Sequence, residues 1–66
     1  MSLLQIFESG LVAQIDEGDI TDELLQCIDQ GSADLFKWDD RRQRFMRAAV
    51  EELDEGRLNL TWRYVP

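Results

Sequence analysis

Residues 57–66 constrain the fold more than any other part of the chain. Leu58, Leu60, Trp62 and Tyr64 alternate with Asn59, Thr61, Arg63 and Val65, the period-2 spacing of a half-buried β-strand. A strand carries a row of backbone donors and acceptors that must find partners. No upstream segment shows the same alternation cleanly. The strand, taken as about 57–65, is therefore expected to pair with a second copy of the chain, with another protein, or with a concealed strand near the N-terminus.

Size makes the first two options attractive. At 66 residues there is room for one domain, residues 1–66, with the strand as its tail. A chain this short buries only about 60% of the surface its unfolded form exposes. Disulfides, a metal or an oligomer commonly supplement such a core. One cysteine and no histidine remove the internal disulfide and the commonest transition-metal ligand, leaving oligomerisation. Net charge of −7 disfavours sequence-independent binding to nucleic acid or anionic membrane, which depends on neutralising phosphates. No charged leader and no apolar run of about 20 residues is present, so a cytoplasmic protein is expected.

The rest of the chain reads as helical. Leu3, Leu4, Phe7, Leu11 and Ile15 share one face of a helix over Met1 to Glu17, with Ser2 and Gln5 at capping-box spacing. The competing reading is a hairpin of Leu3–Phe7 and Leu11–Ile15 around Glu8-Ser9-Gly10. A second helix, capped by Asp19 or Thr21, runs to about Gln30 with Gly31 as its stop. Ser32 opens a short turn through Leu35, Phe36 and Trp38. Asp39 or Asp40 then starts the longest helix, ending near Glu55, with Phe45, Met46, Ala49, Val50 and Leu53 as its inward stripe. The expected fold class is mainly α: a small acidic domain of three or four helices followed by the C-terminal strand.

Chemistry is sparse. Without histidine, general acid–base catalysis lacks its usual agent. Cys27 sits mid-helix in Glu-Leu-Leu-Gln-Cys-Ile-Asp, where a free thiol behaves as a small hydrophobe. Asp16, Glu17, Asp19, Asp22 and Glu23 miss the EF-hand spacing, and acids at a helix start complement its dipole. The chain reads as no enzyme, with no cofactor, metal or small-molecule substrate.

The long helix is odder. Lys37, Arg41, Arg44 and Arg47 precede Glu51, Glu52, Asp54 and Glu55, the reverse of what a helix dipole favours. Asp40–Arg44 and Arg47–Glu51 fall at i,i+4 spacing. Arg42 lands inside the apolar stripe, where it must snorkel, find a carboxylate, or lie over an aromatic ring such as Trp38 or Trp62.

These features point to a non-catalytic protein–protein interaction module, an adaptor, inhibitor or regulatory subunit. Its expected partner-binding residues are Leu58, Leu60, Trp62, Tyr64, Arg42, Arg41 and Arg44, and its expected partner is a second copy or another protein. One alternative is a small dimeric helix-turn-helix DNA-binding regulator built on helices two and three. Another is an acidic mimic of nucleic acid that occupies a basic cleft.

Overall fold

Gly10 decides the first segment. Its φ of 92° is left-handed backbone, open to glycine and costly for most other residues. There the chain reverses: the Gly10 N–H donates to the Phe7 carbonyl and the Phe7 N–H to the Leu11 carbonyl, both at 2.9 Å. The computed structural model describes residues 3–66. Strands β1 (Leu3–Phe7) and β2 (Val12–Ile15) form an antiparallel hairpin from Leu3↔Ile15 to Ile6↔Val12. The helix expected over Met1 to Glu17 is thus corrected to the hairpin reading. Ser2, half of the expected capping box, lies outside the described residues, and Gln5 is a strand residue.

After a 3-10 turn at Glu17–Asp19 comes the one α-helix among the described residues, α1 (Asp22–Gln30). Thr21 caps it, its Oγ1 accepting from the Leu24 N–H at 3.2 Å. Gly31 closes it in the left-handed region at φ 82°, and the Ser32 N–H donates to the Cys27 carbonyl at 2.9 Å. Leu24 and Leu25 are buried on its inner side.

Downstream of Gly31 the chain is extended, and two expectations are corrected. The turn from Ser32 through Trp38 is strand β3 (Ala33–Asp39), and most of the expected long helix is strand β4 (Arg44–Glu52). A 3-10 turn at Asp54–Gly56 then leads into β5 (Leu58–Tyr64). The charge layout explains why the helix does not form. Glu51, Glu52, Asp54 and Glu55 at a helix C-terminus would each cost about 0.3–1 kcal/mol, whereas a strand has almost no net dipole to oppose them. The stripe Phe45, Met46, Ala49, Val50 fits a strand equally well, because consecutive apolar residues fall on opposite faces.

The five strands form one antiparallel sheet in the order β2-β1-β3-β4-β5. β5 therefore has a partner within the chain, β4, in register from Met46↔Tyr64 to Glu52↔Leu58. β3 and β4 pair over only four positions, Phe36↔Arg47 to Asp39↔Arg44. Past Arg47, β4 stays paired with β5 while its ladder with β3 ends. A cavity of about 360 Å³ lies at this divergence, lined by Ile28 and Asp29 of α1 and by Asp34, Arg47, Ala48 and Val50, among others.

α1 packs on one face of the sheet, against β3, β4 and β5. Leu3 and Leu35, both fully buried, form the core with Ala48; Ile15, Ile20, Ile28, Leu60 and Trp62 pack around them. The register places Leu4, Ile6, Phe36, Trp38 and Phe45 on the opposite face, where no second layer covers them among the described residues. Trp38 and Phe45 meet edge to face at 4.9 Å between ring centroids. Leu4, Ile6, Phe36, Phe45 and Val65 line a shallow apolar hollow of about 250 Å³. The fold class is accordingly α+β, a single antiparallel sheet carrying one helix, and not a mainly α three- or four-helix domain.

Candidate functional site

β5 ends the sheet, and its hydrogen bonds show which way each residue's backbone points. The Val65 N–H donates to the Phe45 carbonyl at 3.0 Å, and before the strand the Leu53 N–H donates to the Arg57 carbonyl at 2.7 Å. In an antiparallel ladder, directly opposed residues alternate between bonded and non-bonded pairs. With this register, Asn59, Thr61 and Arg63 bond to β4, and Leu58, Leu60, Trp62 and Tyr64 aim their N–H and C=O groups away from it. No further strand lies beyond β5 among the described residues. The four residues singled out by their alternation thus present main chain at the sheet edge, while their side chains turn toward the helix-covered face.

Natural sheets blunt such edges with short strands, lysine, proline or bulges. The opposite edge strand, β2, is only four residues long. β5 has seven residues, LNLTWRY, with neither proline nor lysine and an uninterrupted register. Its edge is open.

The arginines divide into two groups. At the end of the sheet nearest the 40–43 turn, Arg42 and Arg44 both lie over the Tyr64 ring, their guanidinium carbons 5.5 and 4.9 Å from its centroid. Tyr64 Oη donates to Asp39 Oδ2 at 2.7 Å. Asp39 Oδ1 also accepts from the Arg41 and Arg42 backbone N–H groups at 3.0 and 3.3 Å, and Arg42 Nη1 reaches Oδ2, the oxygen that Tyr64 uses, at 3.4 Å. The Tyr64 hydroxyl, and then these arginine contacts, hold the Asp39 carboxyl below the usual carboxylate range, against partial desolvation. The hydrogen bond to Asp39 in turn pushes the Tyr64 phenol above its ordinary value. Arg42 therefore satisfies its charge with Asp39 and Tyr64, not with Trp38 or Trp62. Lys37 lies over the Trp62 ring instead, Nζ 4.4 Å from the centroid. Arg44 also donates to the Val65 carbonyl at 3.0 Å, which ties down the end of β5. The structure brings Arg42, Arg44 and Tyr64 together, and Arg41 joins them through its backbone only.

On the outer face the register sets Arg47 directly opposite Arg63. Arg47 is neutralised by Asp34, with Nη2 and Nε at 2.6 and 3.0 Å from Oδ1. The expected i,i+4 pairs Asp40–Arg44 and Arg47–Glu51 are replaced by these contacts, since the helix that would have formed them is absent. Arg63 is exposed and has no ion pair among the described residues. The Arg47/Arg63 opposition escaped the sequence reading, because it exists only once β4 and β5 are paired.

Other candidates stay apart from this edge. Cys27 is half-buried on α1. Asp16, Glu17 and Asp19 belong to the 3-10 turn and its cap, with the Asp16 N–H donating to Asp19 Oδ2 at 2.9 Å, and Asp22 and Glu23 occupy the first turn of α1. No group of three or more Cys, Asp or Glu side chains able to hold a metal occurs among the described residues. No helix there is long and apolar enough to cross a membrane. A helix-turn-helix unit has no second helix among the described residues, since β3 stands in its place. The fold and edge define a class, the antiparallel sheet covered by a helix on one face and open along its terminal strand. No protein-family model, curated protein or solved structure matches the chain.

Proposed function

We propose that this protein is a non-catalytic interaction module that binds by extending its sheet at β5. The observation that carries this reading is the row of outward backbone groups on Leu58, Leu60, Trp62 and Tyr64, on a seven-residue edge strand without proline, lysine or a break in register. A strand laid along such an edge gains its affinity from main-chain hydrogen bonds. The aromatic side chains contribute from beneath: Trp62 packs on the core and Tyr64 is pinned by Asp39, so the edge is anchored before any partner arrives. Preorganisation of this kind lowers the entropy lost on binding.

Backbone chemistry separates this role from a merely structural one. An ester in place of the amide between Thr61 and Trp62, introduced by chemical synthesis, removes an outward N–H and leaves every side chain and every N–H of the β4 ladder in place, weakening only the Thr61 carbonyl as an acceptor from β4. That chain should still fold, with less than about 1 kcal/mol lost at the weakened acceptor, and lose strand-mediated assembly, measured as solution mass and as retention of binding proteins on the immobilised chain. The same replacement at Arg63 removes an inward N–H and should cost about 1 kcal/mol of folding stability. Undiminished assembly by the folded Trp62 ester would contradict the reading.

A further inference from the structure

The open edge fits a second copy of itself, and in one register above the others. We infer that β5 pairs antiparallel with the β5 strand of a second copy about a two-fold axis at Thr61, giving one continuous ten-stranded sheet. This inference rests on the edge reading above and adds the identity of the partner.

Three observations carry it. Thr61 is the central residue of β5, so a two-fold there pairs the whole strand: Leu58 with the second copy's Tyr64, Leu60 with its Trp62, Asn59 with its Arg63. Every outward residue then stands opposite an outward residue, which places all the edge donors and acceptors in bonded pairs. The hydrogen-bonding parity set by β4 is satisfied without any shift.

The second observation is the half-buried state of the inward row. Leu58, Leu60, Trp62 and Tyr64 are each partly exposed at the sheet margin. In the dimer Leu60 and Trp62 of one copy abut Trp62 and Leu60 of the other, so the helix-side core continues across the axis. A C2 interface is self-complementary by necessity, and this row meets that requirement.

The third observation is charge. Within one chain Arg63 faces Arg47, an unfavourable like-charge pair, and Arg47 already has Asp34. Asn59 faces Glu51, an exposed carboxylate without an ion pair among the described residues. Across the two-fold the outer-face row becomes Arg47, Arg63, then the second copy's Asn59 and Glu51. Arg63 and that Glu51 are two strand spacings apart, about 10 Å between Cα atoms, with only the short Asn59 between them. Each copy thereby supplies the counter-charge that the other's Arg63 lacks. A chain of net charge −7 gains little from docking elsewhere on an equally acidic copy, but the segment after Glu55 carries Arg57 and Arg63 and no acid.

The test is solution mass by light scattering over a concentration series, for the parent, Arg63→Glu, and the double variant Arg63→Glu with Glu51→Arg. Arg63→Glu sets a carboxylate opposite Arg47 within its own chain, so the monomer is not weakened by the change. The parent should dimerise, Arg63→Glu should weaken the dimer about tenfold through its two symmetric contacts, and the double variant should recover it. A dimer indifferent to both substitutions would overturn the register and place the interface elsewhere, the apolar outer face included. A parent monomeric at every concentration would overturn self-pairing. The edge reading would fail separately, if the Trp62 ester retained partner proteins as the parent does.

Discussion

Leu35→Ala should abolish the folded state at ambient temperature or lower Tm by at least ~10 °C, as a loss of roughly 2–5 kcal/mol implies for a buried leucine in a small domain. Leu35 is one of two fully buried large side chains among the described residues, and it sits with Leu3 and Ala48 at the centre of the core. On the other side of the sheet no second layer exists among the described residues to take up the loss. Small domains have only about 5–15 kcal/mol of stability in total, so one core leucine is a large share of it. Denaturant unfolding followed by far-UV circular dichroism checks this. A change below ~1 kcal/mol would mean that the core lies elsewhere, since surface substitutions fall in that range.

The double substitution Trp62→Ser and Tyr64→Ser should destabilise the fold almost as strongly. Trp62 packs against the Leu3, Leu35 and Ala48 cluster and carries Lys37 over its ring. Removing a fully buried aromatic typically costs about 3–5 kcal/mol, and the half-buried Trp62 should cost a share of that. Tyr64 adds the Asp39 hydrogen bond and the stacked Arg42 and Arg44. Trp38 would then be the remaining indole, and its fluorescence reports unfolding directly. A folded double variant, equal to the parent in denaturant, would show that these rings are not part of the core. Association measured on this variant says little about the edge, because fold and interface fail together; the backbone ester avoids that confusion.

Part of this architecture is legible in the residues. α1 announces itself through Thr21 before an apolar-periodic run and Gly31 after it, and both act as the capping rules require. β5 is legible because only one of its faces is apolar, which leaves the alternation clean. β1 and β4 are concealed for the opposite reason. Leu3 faces the core while Leu4 faces the bare outer surface, and Met46 and Phe45 divide in the same way. A strand apolar on both sides loses its period-2 signature and imitates a helical stripe. Two local signals weigh against helix nonetheless: Gly10 in mid-segment, and acids massed where a helix dipole would repel them. The second invites a functional explanation as long as the helix is assumed, and a strand removes the need for one.

The edge was legible only in outline. Alternation at 57–65 showed that a strand needed a partner, and much of that need is met within the chain by β4. The remaining open side follows from backbone parity, which side-chain pattern does not report. Arg63 likewise looks ordinary until Arg47 is placed across from it.

Amide hydrogen exchange along β4 and β5, read residue by residue by NMR, tests the central claim most directly. In dilute monomer the amides of Asn59, Thr61, Arg63 and Val65 should be protected, and those of Leu58, Leu60, Trp62 and Tyr64 should exchange fast. When the edge is occupied, the second set should slow to match the first. Continuous protection through residues 40–55 with an exposed 57–66 tail would mark a helix where β4 is drawn. Uniform fast exchange in β5 under all conditions would mean that it is no strand of this sheet, and the account would be wrong.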